Sequence, residues 1–361
     1  MLNARIKKQF DSGNGRTFTI DVDVKTAGGI TVLFGSSGAG KTSILRAIAG
    51  MMAPDEGSIT LGENTYFDSA KGISLSMQKR RVGYVFQNHA LFPHLTAEQN
   101  VLYGIRAGSR HSARERVQEL LSMLGIQKTA GRYPHRLSGG EQQRIALARA
   151  LATDPLIMLL DEPLSAVDVA TRSRLLEEIS TTQRRSGIPF LYVTHNHSEA
   201  VRLGDTVMVI DEGKVVQEGI PLEVFNAPRT ASVAKVVGTE NIFVGRILDH
   251  HFGDGTTTVD VNSCFVEAPL NGLPVGTQVT IGLRSEDIIV SREHLTQTSA
   301  RNVIQGLIKK ILSDVDRTEL VVSCGVDFKV SITPATVRLL ELEVGTTVYL
   351  LIKARAVHLL E

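Results

Sequence analysis

The stretch GSSGAGKTS, Gly35 to Ser43, concentrates glycines, hydroxyls and one lysine in a few residues. An apolar run, Ile30 to Phe34, precedes it, and Ile44, Leu45, Ile48 and Ala49 follow at helical spacing. The order reads strand, glycine loop, helix. Gly35, Gly40, Lys41 and Thr42 complete the pattern G-x-x-x-x-G-K-[ST], with Ser36, Ser37, Gly38 and Ala39 filling the loop. Glycines let backbone N–H groups turn inward toward phosphates, and the helix N-terminus adds partial positive charge. Lys41 is placed to reach outer phosphates, and the Thr42 hydroxyl to hold Mg²⁺. The ligand so specified is a nucleoside triphosphate.

Two further stretches carry chemistry. In PLIMLLDEPLSAVD an apolar strand, Ile157 to Leu160, ends in Asp161 and Glu162. Carboxylates at a strand's C-terminal end lie where open α/β sheets bind ligands. Asp161 suits Mg²⁺ binding through water, and Glu162 suits polarising the attacking water as general base. In LSGGEQQRIALARAL, Ser138 reads as an N-cap with Glu141 three residues on, a capping box. Ser138, Gly139 and Gly140 then offer a second anion site at a helix N-terminus. One chain with one triphosphate does not need two such sites; two chains facing head to tail would use both.

The elements that must position these groups fit within 361 residues, enough for two or three domains. Apolar residues are 42% of the chain, sufficient for a core in each. The net charge of +1 argues against nucleic-acid binding by bulk electrostatics. Cys264 and Cys324, with no CxxC context, read as buried small apolar residues of a reducing compartment. The N-terminal residues show no apolar signal core, and no apolar run approaches the roughly 20 residues a bilayer span needs. The expectation is a soluble protein able to dock on a membrane protein.

LSGGEQQR, lying between the glycine loop and the acidic strand, resembles the signature of ATP-binding-cassette ATPases. The other motifs of that family follow in order. Gln87, in GYVFQNHALFPHLTAEQNV, matches the glutamine that senses Mg²⁺ and the membrane partner. Ser165 to Asp168 matches the D-loop, with Val167 where leucine is usual, so Asp168 joins the nucleotide-binding set. His195, in LYVTHNHSEA, matches the switch histidine, with Asn196 where aspartate is usual. Phe10 is the candidate to stack on adenine, with Phe18 the alternate. The resemblance covers residues 1–236. It implies a RecA-like α/β core, an N-terminal antiparallel β subdomain, a helical insert around residues 90–150, and a homodimer closing on two ATP. HSARERVQELLSMLG fits the insert, with Val117, Leu120, Leu121 and Leu124 on one helix face.

Beyond residue 236 the texture changes to short alternating runs separated by Gly, Asp and Thr, which read as strands of a small all-β domain. VGTQVTIGLRSEDIIVS resembles VGTTVYLLIKARAVHLLE, and NIFVGRI resembles NVIQGLI, in the same order. Two related β units are expected, a TOBE-like segment over 237–298 and a second unit over 299–361. TSARNVIQGLI resembles the opening of the molybdate-binding Mop domain, a small oligonucleotide-fold-like barrel. A tetrahedral oxyanion wants hydroxyls, N–H groups and a cation; Ser299, Arg301 and Lys353 are the candidates.

Together the motifs and tail resemble the ATP-binding subunits of molybdate ABC importers. The resemblance implies ATP and Mg²⁺ as cofactors and Glu162, His195 and Gln87 as catalytic residues, with Thr42, Gln87 and Asp161 at the metal. It implies two membrane-spanning permease subunits and a periplasmic or extracellular molybdate-binding protein. It also implies molybdate or tungstate at the tail, no nucleic acid, and a peripheral place on the cytoplasmic face of the inner membrane. The alternatives are the ATPase subunit of a tungstate, sulfate, iron or sugar importer and, more remotely, a soluble cassette protein acting on nucleic acid.

Overall fold

The first two strands show why a half-buried sheet forms at the N-terminus. In Leu2–Asp11 the even positions Leu2, Ala4 and Ile6 are buried while the odd ones face out. Thr17–Thr26 pairs with it antiparallel, in a register that sets Phe10 opposite Phe18. Glu56–Leu61, Asn64–Asp68 and Ile73–Ser74 extend this sheet to five strands. The structure, a computed structural model, describes residues 1–11, 17–105, 110–165, 167, 169–314 and 317–360. They form two compact units, Met1–Val224 and Phe225–Glu361.

The first unit is built on a second sheet of six strands. Its order is Lys214–Gly219, Thr206–Asp211, Ile30–Phe34, Phe190–Thr194, Ile157–Asp161, Val82–Val85. All neighbours are parallel except the first pair. Ile30–Phe34, Phe190–Thr194 and Ile157–Asp161 are buried at every position, as parallel strands covered on both faces must be. Four adjacent strands therefore end on one edge. Gly35, His195 and Glu162 directly follow three of them, and Gln87 lies two residues beyond the fourth. This is the crevice at the carboxyl ends of an open α/β sheet.

The helix after the glycine loop, Lys41–Ala49, buries Ile44, Leu45, Ile48 and Ala49 as its spacing predicts. Its C-terminal carbonyls meet Arg80, a fully buried residue whose guanidinium donates to Ala47 and Ile48 at 2.7 Å. A cation at that end complements the helix dipole. The helical insert is present as Ala97–Tyr103, Arg110–Met123 and Gly139–Leu151, and Val117, Leu120, Leu121 and Leu124 form its buried face. Among the described residues no helix is long and apolar enough to cross a membrane.

The second unit repeats itself in structure as in sequence. Strands Asn241–His251 and Asn302–Ser313 share one burial pattern over their first ten positions. Each carries a register shift at the same place, between Ile247 and Asp249 and between Ile308 and Lys310. The repeats differ in one insertion: the helix Pro334–Leu339 in the second, which strand alternation did not foretell. Their last strands are exchanged. Ile289–Ser291, from the first repeat, pairs with Thr347–Ile352 of the second. His358–Leu360, from the second, pairs with Gln278–Leu283 of the first. One apolar cluster, from Ile247 to Val357, draws on both.

Buried amides lock the exchange. Asn241 accepts from the Lys329 N–H at 2.7 Å and donates to its carbonyl at 2.9 Å. Asn302, the equivalent residue, does the same to Glu267 at 2.6 and 3.0 Å. A boundary at 298/299 therefore separates sequences but not sheets. The division between compact units falls at Val224/Phe225, ahead of the expected 236/237, so the helix Ala231–Val236 groups with the tail.

Candidate active site

A cavity of about 400 Å³ opens at the glycine loop, lined by Phe10, Phe18, Ser37, Gly38, Gly40, Lys41, Thr42, Ser43, Gln87 and Glu162. The sequence left Phe10 and Phe18 as alternatives. Both line the cavity, their rings tilted with centroids 6.1 Å apart. Two glycines are required for different reasons. A Cβ on Gly35 would stand 2.3 Å from the Ile210 carbonyl oxygen, so the loop leaves its strand too close to the neighbouring one for any side chain. Gly40 holds φ of 100°, a left-handed conformation that turns the chain into the helix.

Lys41 is only 4% exposed, and its ammonium donates to the carbonyls of Gly35 and Ser36, both at 2.8 Å. Burial pulls its pKa below the ordinary lysine value, against the opposing charges of Glu162 and Asp161. The Thr42 hydroxyl donates to Asp161 Oδ1 at 2.8 Å. The other carboxylate oxygen, Oδ2, accepts from the Tyr84 hydroxyl at 3.0 Å. Burial first, and then the Asp161 charge, drives the Tyr84 pKa upward, so the phenol stays protonated and serves as donor.

Glu162 stands one residue past its strand with φ of 43°, a left-handed conformation costly for a side chain with a Cβ. That turn carries its carboxylate away from the strand direction to the cavity. Oε2 lies 3.1 Å from His195 Nδ1. Gln87 lines the same cavity. The structure thus brings together the loop, Lys41, Thr42, Asp161, Glu162, Gln87 and His195 from four segments of sequence.

Ser138, Gly139 and Gly140 do not join them. They line a second cavity of about 350 Å³ with Arg144, Val167, Thr171, Arg174, Leu175 and Glu178, and share no lining residue with the first. The expected capping box is formed: Ser138 Oγ accepts from the Glu141 N–H at 3.3 Å, and the Glu141 carboxylate accepts from the Ser138 N–H at 2.8 Å. Asp168 lies outside the described residues.

The donors fit the cofactors. A Mg²⁺ ion is held by one or two carboxylates together with waters and phosphates; Thr42, Asp161 and Gln87 supply hard oxygens of that kind. Among the described residues no cluster of three or more His, Cys, Asp or Glu offers an all-protein metal cage.

Sequence reasoning missed three residues at this edge: Tyr84, Arg172 and Glu199. Glu199 is 4% exposed and accepts from Tyr192 and Thr194. The only hint was its position three residues after Asn196, whose side chain caps the helix His197–Leu203. Asparagine serves that cap as aspartate would, which accounts for its presence beside His195.

In the second unit the structure shows where the three oxyanion candidates stand. The Arg301 guanidinium is held by Asp254 at 2.7 Å and Glu267 at 3.1 Å, and these carboxylates raise its pKa. It is already committed to anions of the protein itself. Ser299 and Lys353 are exposed.

Comparison with known proteins agrees with both units. The family model described as ABC transporter matches residues 19–165, and that described as TOBE domain matches residues 298–359. A molybdenum import ATP-binding protein, ModC, of Paramagnetospirillum magneticum is 35% identical, over 93% of this chain and 93% of its own. A spermidine/putrescine import ATP-binding protein, PotA, of Marinobacter nauticus is 40% identical over 80% of this chain and 76% of its own. Among solved structures, the ATP-binding cassette MJ0796, a dimer bound to ADP and Pi in a post-hydrolysis state, superposes with a TM-score of 0.52 at 29% identity. That match covers 61% of this chain and 99% of that one. The chain belongs to the ABC transporter ATPases, as an ATP-binding subunit whose C-terminal unit carries a TOBE domain.

Proposed function

We propose that this chain is the ATP-hydrolysing subunit of a molybdate importer. The observation that carries the cargo is that relatives named for molybdenum import match through both units, over nearly the full length of each chain. The likeness of TSARNVIQGLI to a molybdate-binding domain supports the same reading. The 40% identity of the polyamine-import relative over a shorter span supports a second, an importer of another cargo built on the same ATPase.

In the mechanism, ATP sits with its phosphates on the Gly35–Thr42 loop and its base against Phe10 or Phe18. Mg²⁺, held by Thr42, Gln87 and, through water, Asp161, supplies charge neutralisation when bound. Lys41 then exchanges its loop carbonyls for phosphate oxygens. Glu162 accepts the proton of the attacking water, and His195, against Glu162, orients that carboxylate. Ser138, Gly139 and Gly140 face the ATP of a second copy. Their separation from the loop cavity supports that division of labour.

An apolar cavity of about 600 Å³ beside Gln87, lined by Phe86, Ala90, Phe92, Tyr103 and Arg149 among others, suits the helices of two permease subunits. Those subunits place this chain at the inner face of the membrane. Outside it, a binding protein delivers the oxyanion. Oxyanion binding in the tail, near Ser299, Arg301 and Lys353, requires Arg301 to leave Asp254 and Glu267. Calorimetric titration of the full chain with molybdate, tungstate and sulfate tests the cargo. Binding of the first two but not sulfate is expected; binding of none removes the oxyanion site of the tail and reopens the cargo. Glu162→Gln tests the chemistry: steady turnover should vanish while ATP binding persists, and unchanged hydrolysis removes Glu162 as general base.

A further inference from the structure

Behind His195 lies a buried carboxylate that the hydrolytic mechanism does not use. Glu199 Oε2 accepts from the Tyr192 hydroxyl at 2.9 Å and the Thr194 hydroxyl at 2.7 Å. Thr194 Oγ1 in turn accepts from the Asn196 N–H at 2.9 Å. Asn196 Oδ1 accepts from the Glu199 N–H at 3.1 Å. Thr194, before His195, is therefore fastened to the Glu199 side chain, and Asn196, after it, to the Thr194 hydroxyl and the Glu199 main-chain N–H.

The other oxygen faces a different segment. Glu199 Oε1 lies 3.6 Å from Arg172 Nε, and the Arg172 guanidinium donates to the Val167 carbonyl at 2.9 Å. Val167 belongs to the Ser165–Asp168 stretch, and it also lines the cavity of Ser138 and Gly140. A small pocket of about 60 Å³ is bounded by Glu162, Ser165, Arg172, Thr194, His195, Asn196 and Glu199, so Arg172, Thr194, Asn196 and Glu199 border the same space as the His195–Glu162 pair.

The geometry points to Glu199 as a positioning residue for His195, and to Arg172 as the strut that ties that position to the backbone at Val167. A buried carboxylate with one cationic partner and two hydroxyl donors holds one arrangement sharply. Displacing Val167 pulls on Arg172, leaves Glu199 short of its cation in a dry site, and frees the Thr194–Asn196 turn. The state of the segment that lines the second cavity is thereby felt at His195, beside Glu162. This rests on the proposed role of His195.

The test uses the full chain. In nucleotide-free protein, ¹⁵N-histidine spectra, with His195→Ala to assign the signal, should show His195 as one tautomer with its proton on Nδ1, facing Glu162. Glu199→Ala and Arg172→Ala should mix the tautomers or broaden that signal. In ATPase assays both should lower kcat on the order of 10- to 100-fold with KM for ATP within about twofold. Glu199→Gln, which keeps an acceptor for Tyr192 and Thr194 but loses the charge facing Arg172, should match Arg172→Ala rather than Glu199→Ala. It also serves where Glu199→Ala does not fold. An unmoved His195 signal in folded Arg172→Ala and Glu199→Gln overturns the proposal, as does unchanged kcat in both. If His195→Ala itself keeps full kcat, the proposed role of His195 fails instead, while the spectra still report whether Glu199 positions the ring.

Discussion

Tyr84 and Thr42 grip the two oxygens of one carboxylate, Asp161, at 3.0 and 2.8 Å. The phenol comes from the neighbouring strand and the hydroxyl from the glycine-loop helix. Asp161 is buried, so each acceptor needs a partner. Tyr84→Phe removes one without changing the shape. The expected result is a loss of about 1–3 kcal/mol in unfolding free energy, the penalty for a stranded buried acceptor. The Mg²⁺ concentration for half-maximal ATPase should rise several-fold while KM for ATP at saturating Mg²⁺ changes little. A Mg²⁺ titration of hydrolysis, with denaturation curves for both proteins, checks it.

Gly35 and Gly38 look equivalent in sequence and are not equivalent in structure. A Cβ on Gly35 meets the Ile210 carbonyl oxygen at 2.3 Å, a backbone atom of a packed strand that has nowhere to go. A Cβ on Gly38 meets nothing within 4 Å, and only its φ of 84° opposes it. Gly35→Ala should cost about 1–3 kcal/mol through overpacking and backbone shift. Gly38→Ala should cost about 1 kcal/mol, the penalty for a left-handed residue with a Cβ. Chemical denaturation midpoints of the two variants should therefore fall in that order.

The contrast shows what the chain made legible. The loop, Lys41, Thr42, Asp161, Glu162 and His195 could be read because each sits at the end of an apolar strand, and strand ends in a parallel sheet converge. The capping box at Ser138 was local and equally plain. Glu199, Arg172 and Tyr84 were not legible, because a buried hydroxyl or carboxylate declares itself only when its partners, remote in sequence, are in place. The ion pairs of Arg301 were hidden for the same reason: its partners Asp254 and Glu267 lie 47 and 34 residues away. The tail's repeat was visible as sequence, whereas the exchange of Ile289–Ser291 and His358–Leu360 was hidden. Strand pairing partners leave no mark on alternation.

The two cysteines give the second unit a signature in alkali. Burial pushes the Cys264 thiol up to about 11 and the Cys324 thiol up to about 12, each from 9.0. In the folded state both thus stay protonated where the unfolded chain has lost its protons. The folded state binds more protons between pH 9 and these values, so stability falls as pH rises. Each such group costs about 1.4 kcal/mol per pH unit across its window. Below pH 9 neither contributes to the slope. Denaturation curves from pH 8 to 11 should steepen their decline above 9, and a Cys264→Ala, Cys324→Ala variant should decline less steeply. A slope independent of the thiols would place the loss on lysines and tyrosines instead.

Strand exchange makes the halves of the tail interdependent. A chain ending at Thr298 loses His358–Leu360, which flanks Gln278–Leu283, and loses Thr347–Ile352, on which Ile289–Ser291 is paired. The Glu267 N–H and carbonyl lose Asn302, and the cluster that includes Val259, Val266 and Ile281 loses Ile308, Leu320, Val322 and Leu350. Uncovered strand edges and halved apolar contact leave residues 241–298 without enough burial to offset their ordering entropy. Hydrogen exchange should show those residues unprotected in the truncated chain, while Met1–Val224 keeps its protection and its affinity for ATP. In the full chain, Asn302→Ala should destabilise the second unit by about 1–3 kcal/mol, because it strands both backbone groups of Glu267. Protection of 241–298 in the truncated chain would mean that the first repeat closes its own sheet, and that the exchange is a consequence of folding rather than a condition for it.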